Sequence, residues 1–202
     1  MKLRTLSPEE LAGVYQHHLS SAFPPAELKP LGAMEAMRER GIYDPLCLEG
    51  EDGQQLGYML LWKHLGGRYI LIDYLCVPAG QRNGGVGSKL LQAVRDHYPA
   101  DMVLLAESEA PTGDAERDGL ICRRLGFYAR NGAAFLGYDC ALFGVHYKTL
   151  CWAEPMPAEE EILRKHQEIY LQQFGRERYD RYIQIPLAPG EEPWPLTDWT
   201  EE

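Results

Sequence analysis

Long apolar runs are missing from this sequence. No uninterrupted stretch could span a bilayer, so no membrane role is expected. The opening Met1-Lys2-Leu3-Arg4-Thr5 has no apolar core of the length a signal peptide needs. Patterned cysteines are missing too. The five present (Cys47, Cys76, Cys122, Cys140 and Cys151) are odd in number, form no Cys-x-x-Cys pair and sit in apolar segments. That reads as reduced, mostly buried thiols in a cytoplasmic protein, with no metal site expected. Positive charge is scarce: 20 Lys and Arg stand against 30 Asp and Glu, a formal charge of −10. Phosphate binding along a nucleic acid needs a basic face, so that partner is excluded. The acidity suits a small cationic acceptor, and it serves solubility equally well. His17-His18 lacks a third ligand at metal spacing, and Cys76 lacks the paired His or Asn of a thiol nucleophile.

What the chain does have is the apolar content of a globular protein, 45% over 202 residues, enough for one full core. Ser7-Pro8-Glu9-Glu10 is a helix start with a capping box, and Leu11, Val14 and Tyr15 follow at helical spacing. Phe23-Pro24-Pro25 breaks that helix. A second helical piece holds Met34, Met37 and Arg38 and stops at Gly41. Asp44-Pro45 marks a turn into a strand at Leu46-Cys47-Leu48, and Glu51-Asp52-Gly53 a hairpin turn. A second strand alternates Leu56, Tyr58 and Leu60, and a third runs from Tyr69 to Val77, giving an antiparallel meander. After a helix ending near Tyr98 come a buried-type strand from Met102 to Ala106, a polar loop and a helix to Arg130. Two strands are expected near 133–142 and 145–152. Pro155-Met156-Pro157 then sets off an extension. In it Ile162, Leu163, His166, Ile169, Tyr170 and Phe174 form an amphipathic helix, and Tyr182, Ile183 and Ile185 a short strand. The tail beyond is irregular and is expected to dock through its tryptophans. The expected division is a core at 1–153 and an extension at 154–202, packed on the core or on a second subunit of a homodimer. The mixed order predicts an α/β (α+β) fold around one mostly antiparallel sheet flanked by helices.

The most informative stretch is Gln81-Arg82-Asn83-Gly84-Gly85-Val86-Gly87-Ser88-Lys89-Leu90-Leu91. It joins the strand ending at Val77 to a helix with Val86, Leu90, Leu91 and Val94 on one side. There the first N–H groups of a helix have no internal partners, and the helix dipole adds positive charge. Glycines remove the side chains that would hold an anion off, and Arg82 adds a charge, which makes a pyrophosphate cradle. A tight turn that uses the glycines only for positive φ is the plainer reading. Two other phosphate motifs fail on spacing. Lys89 follows Ser88 instead of preceding it as in a P-loop, and Leu90 stands where a dinucleotide fingerprint needs its last Gly.

With Val77-Pro78-Ala79-Gly80 before it, this run resembles the acetyl-CoA signature of the GNAT superfamily of N-acetyltransferases, with Arg82, Gly85 and Gly87 at its fixed positions. Leu125-Gly126-Phe127-Tyr128-Ala129-Arg130-Asn131-Gly132 resembles that family's later helix. The resemblance covers roughly residues 1–153. It departs at Asn83, at Ala133 and at Ile121, where many members carry an Asn. It implies the GNAT fold and an acetyl-CoA-dependent N-acetyltransferase acting on a small-molecule or peptide amine, with acetyl-CoA as cosubstrate and no metal.

Acetyl transfer from a thioester needs an amine stripped of its proton, a donor for the carbonyl oxygen and a proton for the leaving thiolate. The resemblance places the pantetheine arm against Leu75, Cys76 and Val77, and the pyrophosphate on Arg82, Asn83, Gly84, Gly85, Val86, Gly87 and Ser88. Tyr128 is the candidate acid, since a phenol is protonated at neutral pH; packing beside Leu125 is its alternative. Asp73, an acid in an apolar strand, and Glu107, on the next strand with Glu109, are the candidate bases. Arg123 and Arg124 are candidates for phosphate contact or for a solvated face paired with Glu116 or Asp118. Phe23, Pro24 and Glu27 are candidates for the acceptor pocket. Two other functions compete: a non-catalytic acyl-CoA-binding or sensing module, and a protein-interaction role carried by 154–202.

Overall fold

The structure, a computed structural model, describes residues 1–199. It opens with a strand that the sequence pattern did not suggest, β1 (Lys2–Thr5), followed by α1 (Pro8–Val14). The Ser7 hydroxyl accepts from the Glu10 N–H at 3.2 Å and the Glu10 carboxylate accepts from the Ser7 N–H at 2.8 Å, the capping box read from the sequence. Arg4 donates to both oxygens of Glu10, at 2.8 and 2.7 Å, and so ties β1 to α1. The helix continues through one π turn (Tyr15–Leu19) and α2 (Ser20–Ala22), and ends where Phe23 becomes extended ahead of two prolines. α3 (Leu31–Glu39) buries Met34 and Met37.

β2 (Tyr43–Glu49), β3 (Gln55–Lys63) and β4 (Tyr69–Cys76) form the expected antiparallel meander. β2 starts earlier than expected, because Asp44 and Pro45 are strand residues and not a turn. Pro45 sits where the β1 ladder runs out: the Leu6 N–H still donates to its carbonyl at 2.8 Å, and only the return bond is lost with its missing N–H. α4 (Val86–His97), β5 (Val103–Glu109), α5 (Ala115–Arg130), β6 (Ala134–Leu142) and β7 (Val145–Trp152) follow in the expected order. β5 extends past Ala106, so Glu107 and Glu109 are strand residues. α6 (Glu159–Tyr182) breaks at Gly175, where φ is +68°, and leads into β8 (Ile183–Leu187).

The eight strands form one sheet in the order β1-β2-β3-β4-β5-β7-β6-β8. Only β4 and β5 run parallel. One face packs on α1, α3 and α6 through Leu11, Met34, Met37, Ile162, Ile169 and Tyr170. The other packs on α4 and α5 through Val86, Leu90, Val94 and Tyr128. Among the described residues no helix is long and apolar enough to cross a membrane.

Two irregularities of β4 shape the centre of the molecule. Its ladder with β5 pairs Tyr69–Ile72 with Val103–Ala106 and goes no further, while β5 continues along β7 to Glu109. The strands therefore part, leaving Asp73–Cys76 without ladder partners on that side. The β3 register also jumps, from Leu61↔Ile72 to Leu60↔Tyr74, so Asp73 is the extra residue of a bulge. The bulge resets the alternation. Asp73 and Tyr74 both face the α1–α3 and α6 layer, whereas Leu75 and Val77 pack toward α4 and α5.

Candidate active site

A cleft of about 690 Å³ opens where β4 and β5 part. One end of it is the glycine-rich turn. Arg82, Asn83, Gly85, Val86, Gly87 and Ser88 line it, together with Leu75, Cys76 and Val77; Gly84 is the one residue of the expected cradle that does not. Gly85 is the N-cap of α4 at φ +74°, a conformation natural to glycine, and no side chain caps the helix. The N–H groups of the first helical turn are thus free for an anion. Arg82 spends its Nε on the Val77 carbonyl, at 2.9 Å, which pins the turn to the end of β4. Gly87 has a packing role as well: a Cβ there would lie 3.2 Å from the Phe127 ring, so a side chain would disturb the contact between α4 and α5 as well as the cradle.

α5 contributes Leu120, Arg123, Arg124, Phe127, Tyr128 and Arg130 to the same cleft. Neither Arg123 nor Arg124 has an ion pair with Glu116 or Asp118; Arg124 instead approaches Glu109 at 3.9 Å. Tyr128 is buried, packs edge-on against Phe127 and Trp152, and still borders the cleft. Burial raises its pKa, so the phenol stays protonated. Burial raises the Cys76 thiol likewise, which leaves it a poor nucleophile.

The opposite end is acidic and aromatic. Glu27, Asp73, Glu107 and Glu109 line it beside Phe23, Tyr74, Tyr147, Tyr170 and Trp199. Asp73 Oδ2 accepts from Lys29 Nζ at 2.8 Å and from the Tyr43 hydroxyl at 2.5 Å. Lys29 is fully buried, with its ammonium 4.1 Å from the centroid of the Trp62 ring. Desolvation lowers the Lys29 pKa, and Asp73 opposes that shift. Glu107 accepts from Tyr170 at 2.7 Å and meets His166 Nε2 at 2.7 Å. With Cys140, these make a Glu107–Cys140–His166 group whose ligand-type atoms lie within 4.8 Å of one another. Its carboxylate–imidazole separation is that of a hydrogen bond. Glu109 pairs with Arg117.

All three expected acid–base residues therefore reach one cleft. No sequence pattern marks Lys29, His166 or Tyr170 for this site. A lysine between Leu28 and Pro30 carries no motif, and His166 and Tyr170 read as one face of an amphipathic helix. Trp199 was expected only as a docking residue. It stacks on Phe143, with centroids 4.3 Å apart, and lines the cleft.

No protein-family model and no curated relative matches the sequence. Solved structures do match the fold. A protein described as an acetyltransferase of the GNAT family, from Bacteroides thetaiotaomicron, superposes with a TM-score of 0.70 at 16% identity, over 87% of this chain and 99% of that one. The spermidine N-acetyltransferase of Vibrio cholerae, in complex with CoA and spermine, gives 0.56 at 10% identity over 76% and 95%. An aminoglycoside 6'-N-acetyltransferase complexed with coenzyme A gives 0.57 at 12% over 78% and 99%. Identities this low speak for architecture and not for substrate. On that architecture, with its parted parallel strands and uncapped helix start, the chain has the fold of the GNAT acetyltransferases.

Proposed function

We propose that this protein transfers the acetyl group of acetyl-CoA directly to a primary amine. The observation that carries the reading is the single cleft, which runs from the uncapped start of α4, through the gap between β4 and β5, to a carboxylate-lined end. An uncapped helix N-terminus beside Arg82 suits a pyrophosphate. The residues present fit the cosubstrate: the turn of Arg82, Asn83, Gly84, Gly85, Val86, Gly87 and Ser88 holds the phosphates, and Leu75, Cys76 and Val77 border the pantetheine arm. Bound acetyl-CoA supplies an activated acyl group. The unpaired backbone of β4 past Ile72 offers N–H groups to its carbonyl oxygen. Tyr128 donates a proton to the sulfur. The acidic, aromatic end draws in a cationic amine, in keeping with the spermidine and aminoglycoside enzymes of the same fold. Asp73 and Glu107 are committed to Lys29, Tyr43, His166 and Tyr170, and in this reading they hold the walls of the acceptor end in place.

Acetyl-CoA and a panel of amines, followed by release of free thiol, test the activity. Amine-dependent release supports it. Tight binding of acetyl-CoA without release from any amine favours the non-catalytic binding module. Gly85→Asp brings a carboxylate to the cradle and is expected to abolish acetyl-CoA binding by calorimetry. Normal affinity in that variant would remove the cradle from this reading.

A further inference from the structure

Four carboxylates face the acceptor end, and three are already engaged. Asp73 is paired with Lys29, Glu107 is bonded by His166 and Tyr170, and Glu109 is paired with Arg117. Glu27 differs. Among the described residues its carboxylate meets one hydrogen-bond donor, the Tyr147 hydroxyl, at 3.2 Å. Its backbone, by contrast, is firmly held. The Tyr74 hydroxyl donates to the Glu27 carbonyl at 2.8 Å and accepts from the Lys29 N–H at 2.7 Å. The Lys29–Asp73 pair anchors the same segment from two residues away. A weakly engaged carboxylate thus stands on a fixed backbone, in the cleft, with the Phe23 and Tyr74 rings lining the wall beside it.

Resting on the acetyl-transfer reading, we propose that Glu27 binds the ammonium of the acceptor and takes its proton. A carboxylate with aromatic faces beside it is a fitting receptor for a primary ammonium. Four groups act on Glu27: Glu109 and the Tyr147 hydroxyl from the sheet, and Arg124 and Arg117 from α5. Partial burial and the negative charge of Glu109 raise its pKa; Tyr147 and the two arginines pull the other way, and the net shift is upward. A carboxylate shifted upward is a better proton acceptor at neutral pH. The step balances. The amine nitrogen forms its bond to the acyl carbon as the C–S bond breaks. Of the two protons that the ammonium gives up, one goes to Glu27 and then to water. The other ends on the coenzyme A sulfur, with Tyr128 donating to sulfur and being reprotonated.

The test uses Glu27→Gln in the full chain and two probe amines: spermidine, protonated at neutral pH, and trifluoroethylamine, which is not. The expected result is a fall in kcat/KM for spermidine of about 10²–10⁴-fold with a much smaller fall for trifluoroethylamine. Spermidine affinity by calorimetry on the CoA-loaded protein should also weaken, with acetyl-CoA affinity unchanged. Equal losses for both amines would make Glu27 a wall residue and overturn the proposal, as would full activity on both. Wild-type protein that binds acetyl-CoA yet releases thiol with neither of these amines nor any other amine of the panel would instead overturn the acetyl-transfer reading itself, and proton transfer to Glu27 with it.

Discussion

Tyr128 sits with its ring edge-on to Phe127 and Trp152, at centroid distances of 5.2 and 5.7 Å, and its outer side toward the cleft. Packing and chemistry are thus separable in this residue, because Tyr128→Phe keeps the ring and loses only the hydroxyl. A thiol has a pKa of about 8.5, so the thiolate can leave unaided and an acid helps without being indispensable. Turnover of Tyr128→Phe is expected to fall at least about tenfold, below the usual range for an acid–base group. Its acetyl-CoA affinity by calorimetry should change little. Full turnover would leave Tyr128 as a packing residue of the α5 layer. At this scale the sequence showed the residues whose role is local. Gly85 needs positive φ and Tyr128 lies in a short motif, and both were visible. Lys29 was not, because what defines it is Asp73, 44 positions away, and the ring of Trp62.

At the scale of elements, the start of α1 sets one pH response. Hydrogen bonds from Arg4, then from the Ser7 N–H, hold the Glu10 carboxyl down from 4.5 to about 2. A carboxyl depressed in the folded state contributes its full stability above pH 4.5 and loses it as pH falls from there to about 2. Melting temperature across that range should therefore fall less steeply in Glu10→Gln than in the wild type, and parallel curves would rule the contribution out. The tail after β8 sets a second response. The β6–β7 hairpin turns through Phe143 and Gly144, both at positive φ. A Cβ on Gly144 would stand 2.6 Å from Leu196 Cα, so the tail lies directly on that turn. The Thr197 N–H donates to the Phe143 carbonyl at 2.9 Å, and Trp199 stacks on Phe143 and lies tilted against Phe174. Deleting residues 188–202 should lower the melting temperature and raise the KM for the acceptor amine, with acetyl-CoA affinity little changed. Unchanged steady-state constants for the amine would confine Trp199 to packing.

For the molecule as a whole, a formal charge of −10 is distributed unevenly around the cleft. Arg82, Arg123 and Arg130 border the end at the glycine-rich turn, and the carboxylates border the other. Under the proposed function, this separation of charge would draw the two reactants to opposite ends of one cleft, by the general rule that clefts focus charge. The sequence by itself determined the order of helices and strands after β1, the capping box of α1 and the glycine-rich start of α4. Each of these is written in periodicity or in bonds between residues a few positions apart, which act the same way wherever the segment lies. It also brought Tyr128, Asp73 and Glu107 forward as site residues, but not what they would be bonded to. Tertiary structure alone decided where β4 parts from β5, that the bulge turns Asp73 and Tyr74 to one face, and that α6 supplies His166 and Tyr170 to Glu107. It also decided which carboxylate stays weakly engaged. Glu27 meets Tyr147 across 120 positions of chain, and the donors that occupy its three rivals come from several different elements. Whether a carboxylate is free depends on every group that folding brings within about 3 Å of it, and no local pattern encodes that set.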